Sequence, residues 1–233
     1  MITDIKRGTE EGERLLAEGI AALGLTLDHE ARGRLARYAL ELLHWNRRVN
    51  LVARGMGLSE LVDKHFLDSL LLLPLLRESG GQTAHLLDIG TGAGFPGLAL
   101  KAAWPALRLT LVEPRQKRVS FLGHISRSLG LTGVEILPHR LEEVLSRLQQ
   151  QHFSHIVSRA LAEPAIFLPL VQPLMNTATR VILMQGGCTV PPPLPTGWEE
   201  CGRHEVCLPF SGDQRRLVLV QCHCGKKLVP GSP

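Results

Sequence analysis

A glycine-rich turn in the middle of the chain carries the residues best placed for chemistry. The segment 88–97 reads DIGTGAGFPG and stands where a short apolar stretch gives way to a helical pattern. Glycine permits a sharp turn and lets a ligand lie against bare main chain. We therefore predict a nucleotide-type cofactor at this turn, held by Asp88, Gly90, Gly92, Gly94 and Phe95.

The spacing of this turn favours S-adenosylmethionine (SAM) over a dinucleotide. An acidic residue precedes the first glycine, and Gly-x-Gly-x-Gly with a further Gly97 differs from the Gly-x-Gly-x-x-Gly of dinucleotide sites. The next predicted strand ends in Glu113, whose carboxylate could accept hydrogen bonds from both ribose hydroxyls, although this feature suits NAD equally well. A dinucleotide site and a purely structural turn are the alternatives.

Two further strand ends supply candidate residues. Arg159 ends the fourth predicted strand, at the edge expected to face the methyl group and its acceptor. Leu141 and Glu142 follow the third strand, where a helix start would meet the adenine. For Glu142 an equally good interpretation is that an acid simply favours a helix N-terminus.

The elements around these residues alternate strand and helix from Ala84 onward. Strands are predicted at 85–90, 108–113, 134–138, 153–160 and 179–185, with helices between them. This alternation predicts an α/β fold, Rossmann-like, with a mostly parallel sheet covered by helices on both faces. Two late segments, 198–209 and 214–222, predict an antiparallel pair that closes the edge of a seven-stranded sheet.

The N-terminal third has a helical pattern. Residues 1–80 are predicted to form a helical extension packed on a catalytic domain at 81–233. A helix is expected to begin at an N-cap Thr26, with one apolar face that includes Leu35, Tyr38 and Leu42. A second helical run from Leu58 should end or kink near Pro74. The tail 225–233 is expected to be frayed.

Composition and charge narrow the class of protein. The chain has 233 residues, is 44% hydrophobic and carries a net charge of +4, which suits a polyanionic partner or simply a solvated basic surface. The most apolar stretch, 66–76, is too short to span a bilayer. No signal-peptide pattern is present, so we expect a cytoplasmic protein without a membrane partner.

The five cysteines lie late in the chain and lack paired Cys-x-x-Cys spacing. We therefore expect reduced thiols and no metal, with zinc binding near Cys222 as the alternative.

The absence of two known motifs favours an acceptor atom that can be methylated without prior activation. Exocyclic-amine methylation typically uses Asn/Asp-Pro-Pro-aromatic after strand four, where this chain has Ser158-Arg159-Ala160-Leu161. Carbon-5 methylation of a pyrimidine needs a cysteine nucleophile, and every cysteine follows residue 187. A ring nitrogen such as guanine N7 needs neither a base nor a covalent step, although other easy acceptors fit as well.

Basic residues occur where an RNA could lie, and they neutralise phosphates. Each could equally belong to a solvated face. Aromatic residues make up 4% of the chain, which argues against an extended base-stacking platform. The candidate RNA contacts are Arg47, Arg118, Arg215 and Arg216.

Taken together, four blocks resemble the bacterial ribosomal small-subunit methyltransferase G family, also called GidB. The blocks are HWNRRVNLVA, KHFLDS at 64–69, the glycine turn with EPRQKRVSFL after it, and VSRA at 157–160. The resemblance implies a class I SAM-dependent methyltransferase that modifies N7 of one guanine in 16S rRNA of the small subunit. It implies a cofactor site at Gly90, Phe95, Leu141, Glu142 and Arg159, and a functional face that includes His65, Asp68 and Ser69.

Two positions depart from the family pattern. Glu113-Pro114 stands where Asp-Ser is expected, so the carboxylate is kept. Gln185 stands where a lysine is usual, which puts one RNA or substrate contact in doubt. A non-catalytic SAM- or nucleotide-binding module and a small-molecule methyltransferase remain alternatives. The sequence leaves the oligomeric state open, with a monomer favoured over an oligomer.

Overall fold

The computed structural model describes residues 2–81, 84–159, 163–187 and 193–223. These residues form one seven-stranded sheet in the order β3-β2-β1-β4-β5-β7-β6. The strands β1 to β5 run parallel to one another, whereas β7 runs antiparallel to both β5 and β6. The α/β Rossmann-like class with an antiparallel edge is therefore confirmed. The strands are β1 His85–Ile89, β2 Arg108–Val112, β3 Val134–Leu137, β4 His155–Arg159, β5 Arg180–Gly186, β6 Trp198–Cys207 and β7 Gln214–Cys222.

Helices flank this sheet and also make up the N-terminal region. A π-helical segment, Val62–Leu67, joins α3 to α4, and a 3-10 turn, Gln172–Leu174, follows α9. The helices are α1 Ile2–Ala22, α2 His29–Asn46, α3 Leu58–Leu61, α4 Asp68–Leu70, α5 Leu73–Gly80, α6 Gly97–Ala103, α7 Gln116–Ser128, α8 Leu141–Leu148 and α9 Pro164–Val171. None of the described helices is both long and apolar enough to cross a bilayer.

The central strands are apolar because both faces of the sheet are covered. Every residue of β1 is buried, as expected for a parallel strand between helical layers. The strand order reverses between β1 and β4. In open α/β sheets a ligand binds at such a switch point, outside the carboxyl ends of the strands. This edge, the carboxyl edge, carries the glycine turn, Glu113 and Arg159.

The N-terminal helices share one hydrophobic core with the sheet. Leu16 of α1, Leu35 of α2, Leu86 of β1 and Phe121 of α7 are fully or almost fully buried in a single cluster. The prediction that α2 is capped by Thr26 is wrong. Asp28 is the N-cap, because its carboxylate accepts a hydrogen bond of 2.6 Å from the Ala31 N–H.

The segment before Pro74 is helical as predicted, but its middle is not an α-helix. In the π-helical segment Val62–Leu67 the Asp68 N–H donates to the Asp63 carbonyl, five residues back. Pro74 lies in the first turn of α5 and follows a break in the helix, as its missing N–H predicts. The tail from residue 224 lies outside the described residues.

Candidate cofactor and acceptor site

The glycine turn after β1 is shaped by backbone conformations that favour glycine. Gly90, Gly92 and Gly94 have φ of 71°, 62° and 93°, a region that other residues enter only with strain. Gly94 also has no room for a side chain, because an added Cβ would lie 2.1 Å from the Tyr38 hydroxyl. The Tyr38 hydroxyl donates to the Ala93 carbonyl. Helix α2 therefore holds the turn from behind.

Asp88 lies beneath this turn and is fully buried. Its Oδ2 accepts hydrogen bonds of 2.7 Å from the Thr91 hydroxyl and 2.7 Å from the Gly97 N–H. Burial raises the pKa of Asp88 to about 6. Asp88 thus fixes the path of the turn, and a direct contact with a cofactor stays a prediction.

Glu113 follows β2 and is bonded to the glycine turn, and its contact with a cofactor stays a prediction. It is 2% exposed, and its carboxylate accepts from the Gly92 N–H at 3.0 Å and the Arg115 N–H at 2.9 Å. Arg118 lies beside the turn, with Nη1 3.6 Å from Glu113 Oε2, and its contact with RNA stays a prediction. The turn and the carboxylate thus form one unit at the switch point.

Arg159, His65 and Phe95 meet at the end of β4. The Arg159 Nη2 lies 2.7 Å from His65 Nδ1, and the guanidinium carbon is 5.3 Å from the centre of the Phe95 ring. The His65 and Phe95 ring centres are 5.0 Å apart. Burial and the neighbouring Arg159 lower the pKa of His65 to about 3. The imidazole is therefore neutral at pH 7.

Asp68 joins this cluster to the antiparallel edge of the sheet. Its Oδ1 accepts from Arg215 Nε at 2.9 Å, and its Oδ2 accepts from Arg159 Nη1 at 3.4 Å. Burial raises the pKa of Asp68, whereas the two guanidinium groups oppose that shift. The predicted residues His65, Asp68, Arg159 and Arg215 are thus brought together from three parts of the chain: the helical segment 62–70, β4 and β7.

Ser69 and Arg216 have structural contacts in this region. Ser69 is fully buried and donates to the His65 carbonyl at 2.6 Å. Arg216 donates to Glu205 at 2.8 Å across β6 and β7.

Gln185, which stands where the family usually has a lysine, lies beside two arginines of β7. Gln185 pairs with Arg216 and Gly186 pairs with Arg215 in the register of β5 and β7. Positive charge is therefore present on the neighbouring strand, although the lysine itself is absent.

The remaining predicted residues lie apart from the cluster. Leu141 is buried and Glu142 is exposed at the start of α8, after β3, so Leu141 faces the protein interior. Arg47 is exposed and, with Arg48 and Arg54, lines a cavity of about 530 Å³ between α2 and α3. Contacts of these residues with a cofactor or RNA stay predictions.

The cysteines give no evidence of a metal site. Cys201 and Cys207 are exposed and Cys222 is half-buried, and none of these three forms a disulfide, whereas Cys188 and Cys224 lie outside the described residues. Within the described ranges no group of histidine, cysteine and acidic residues could hold an ion.

Sequence reasoning missed three residues that organise the site. Tyr38 was predicted only as a core residue, and Asp63 and Phe210 were not singled out. Asp63 is 1% exposed and accepts from the N–H groups of Phe210 at 3.2 Å and Ser211 at 2.9 Å. A buried acid in an apolar helix is the one signal that could have identified Asp63.

The fold and this site define a class I SAM-dependent methyltransferase. The glycine turn lies at the switch point, and a buried carboxylate ends the neighbouring strand. A mutant of MtNAS solved in complex with S-adenosylmethionine has a similar fold, with a TM-score of 0.54 and 17% identity over 94% of this chain and 96% of that one.

Sequence comparison identifies the family. The profile of GidB, the rRNA small subunit methyltransferase G family, matches residues 32–189. The ribosomal RNA small subunit methyltransferase G of Desulfotalea psychrophila is 42% identical over 88% of this chain and 96% of its own length. The protein of the same name from Syntrophotalea carbinolica is 32% identical over 91% and 98%. This chain belongs to the rRNA small subunit methyltransferase G family.

Proposed function

We propose that this protein transfers the methyl group of SAM to N7 of a guanine in the 16S rRNA of the small ribosomal subunit, and that it acts in the cytoplasm. The observation that carries the acceptor assignment is the contact of Arg159 with His65 and with the Phe95 ring. Arg159 Nη1 and Nη2 are engaged by the Lys64 carbonyl, Asp68 and His65, and we assign the Arg159 Nε–H and the His65 Nε2–H as the donors to a substrate. The Hoogsteen edge of guanine carries only acceptors, N7 and O6, so a donor of this cluster can hold O6 while the N7 lone pair stays free to attack the methyl group of SAM.

The tautomer of His65 supports this interpretation. Its Nδ1 lies 2.7 Å from an Arg159 nitrogen, which can only donate, so Nδ1 accepts. The ring is neutral because its pKa is lowered to about 3, and its proton therefore lies on Nε2. His65 thus offers a donor, and it is too weakly basic to remove a proton from an amine. Guanine N7 needs no such base, because it already has a free lone pair.

The residues of the turn fit a SAM molecule. Gly90 and Gly92 leave the main chain bare, and the Glu113 carboxylate adjoins Gly92 at 3.0 Å, where it can accept from ribose hydroxyls. When bound, SAM supplies an electrophilic methyl group on a sulfonium. The part played by the chain is then to hold donor and acceptor in line, which lowers the entropic part of the barrier.

The alternatives have less support. The relatives are named as methyltransferases, which gives no support to a non-catalytic SAM-binding module. A small-molecule acceptor would not require the arginines on β7 or the cavity lined by Arg47, Arg48 and Arg54.

The test is a methyl-transfer assay on small subunits from a strain that lacks the modification. Purified protein and SAM with a labelled methyl group should label 16S rRNA, and cleavage specific for N7-methylguanosine should map the label to one guanine. Replacing Arg159 with glutamine should abolish transfer, because it removes the guanidinium beside Phe95.

A matched control is available in the same sheet. The Arg180 side chain donates to the carbonyls of Thr177 and Thr179 at the opposite edge. R180Q should therefore retain activity. A label on an exocyclic amine, or on no RNA at all while SAM binds, would refute the acceptor assignment.

A further inference from the structure

The turn between β6 and β7 lies at the same edge of the sheet as the cofactor site. The carboxyl end of β5, Gly186, pairs with Arg215 near the start of β7. The turn 208–213 joins the end of β6 to the start of β7, where Cys207 pairs with Gln214. Because β7 is antiparallel to β5, this turn must lie at the carboxyl edge. It therefore stands beside the acceptor side of the site.

Phe210 on this turn is exposed, unlike the other aromatic residues. The chain has six phenylalanines, three tryptophans and one tyrosine, and the structure describes all of them. Phe210 is 40% exposed, whereas the others are buried or half-buried. A single exposed apolar residue needs no special explanation, so the position of this ring and the contacts that fix it have to carry the argument.

Buried contacts fix the backbone that carries the ring. The Asp63 carboxylate, 1% exposed, accepts from the N–H groups of Phe210 and Ser211 at 3.2 and 2.9 Å. Leu208, next but one in the chain, is 1% exposed and anchors the base of the turn. Hydrogen bonds to a charged group are stronger than neutral ones. The ring is therefore held out on an ordered turn, which lowers the entropy lost on binding.

The turn 208–213 is connected through a few contacts to the cluster formed by Arg159, His65 and Phe95. Asp63 lies on the π-helical segment that also carries His65, and His65 contacts both Phe95 and Arg159. From the other side, Arg215 on β7 reaches the same cluster through Asp68. A nucleotide next to one held at Phe95 and Arg159 would lie along this edge.

We propose that Phe210 stacks on an unpaired base that neighbours the methylated guanine in the substrate RNA. The inference rests on the proposed function, since it assigns a contact of that same substrate. Unstacked RNA bases are commonly bound on aromatic side chains, and such stacking tolerates any base because every base has a π-face. One fixed ring at the edge of the site would hold the RNA in register without a wider aromatic platform.

The test compares three substitutions at Phe210 in the methyl-transfer assay on small subunits. F210A should raise KM by roughly 5- to 160-fold, the range that base stacking supplies, while kcat stays near that of the unsubstituted protein. F210W keeps an aromatic face and should retain a low KM. F210L keeps the apolar bulk without the π-face and should behave like F210A.

Two further measurements separate this contact from a structural role. The affinity for SAM, measured by calorimetry, and the free energy of unfolding should be similar in all three variants, because the exposed ring supports neither. Filter binding of isolated 16S rRNA should show the same loss of affinity as KM.

The outcomes are distinguishable. An F210A protein with unchanged KM, or an F210L protein as good as the unmodified one, would overturn the stacking proposal while the unmodified protein still methylates the guanine. Failure of the unmodified protein to methylate guanine N7 would instead overturn the proposed function, and the stacking proposal with it.

Discussion

Replacing Gly94 with alanine tests how α2 supports the glycine turn. The new Cβ would lie 2.1 Å from the Tyr38 hydroxyl, 2.9 Å from Leu98 Cβ and 3.1 Å from Leu122 Cδ2, at a φ of +93°. The Tyr38 hydroxyl is buried and bonded to the Ala93 carbonyl, so it cannot move aside without losing that bond. We expect G94A to be destabilised and to bind SAM weakly.

The magnitude has two parts. Backbone strain at a positive φ costs about 1–2 kcal/mol, and overpacking adds about 1–3 kcal/mol. Y38F removes the hydroxyl and a buried hydrogen bond, at a cost of about 1–3 kcal/mol, but it also removes the atom nearest to the new Cβ. The double variant should therefore lose less stability than the sum of the single losses, by about 1 kcal/mol.

The assay is denaturant unfolding of the four proteins in this cycle, with SAM affinity measured by calorimetry. G130A is the matched control, since Gly130 has a φ of +63° and open space around its Cβ position. It should cost only the backbone strain, and its effect should add to that of Y38F. Strict additivity of G94A and Y38F would refute the idea that the hydroxyl is what excludes a side chain at Gly94.

Three further predictions concern charge. E113Q should weaken SAM binding by roughly 10- to 100-fold, the value of a hydrogen bond to a charged group; calorimetry checks this, with E143Q at an exposed helix start as control. The pKa of Asp88 is raised from 3.8 to about 6 in the folded protein, so the folded state binds the proton of this carboxyl more tightly than the unfolded state does. The protonated carboxyl therefore stabilises the fold at low pH, and this stabilisation is lost as pH rises from about 4 through about 6. The D88N protein has no such proton, so its free energy of unfolding should rise by about 3 kcal/mol relative to that of the unsubstituted protein between about pH 4 and about pH 6. A difference between the two proteins that does not change with pH would contradict the raised pKa. Replacing Arg47, Arg48 and Arg54 with glutamine should lower the salt dependence of RNA binding by up to about 0.7 in slope for each lost phosphate contact, whereas R203Q, whose side chain is paired with Glu200 at 2.6 Å, should leave the slope unchanged.

The sheet could be predicted from the sequence because its strands are short, apolar and regularly spaced. Each predicted strand agrees with the structure to within two residues at its start. The glycine turn, Glu113 and Arg159 could be placed at one edge because the carboxyl ends of parallel strands meet there. These inferences require only chain order and the direction of each strand.

Contacts between distant segments could not be predicted in the same way. Asp63 and Phe210 are separated by 147 residues, and neither stands in a recognisable motif. The π-helical segment gives no periodicity distinct from that of an α-helix over six residues. The N-cap at Asp28 rather than Thr26 depended on which of two good capping residues had the better geometry. Side-chain geometry and tertiary packing decided each of these features.

Four buried acids among the described residues of the carboxyl edge serve to position other groups. Asp63, Asp68, Asp88 and Glu113 are each at most 3% exposed, and each carboxylate accepts hydrogen bonds from the protein itself. Asp63 holds the β6–β7 turn, Asp68 holds Arg159 and Arg215, and Asp88 and Glu113 hold the glycine turn. The negative charge is thus used to position main-chain and guanidinium donors. These acids therefore act by positioning donors, and an acceptor atom with a free lone pair, such as guanine N7, needs only to be oriented.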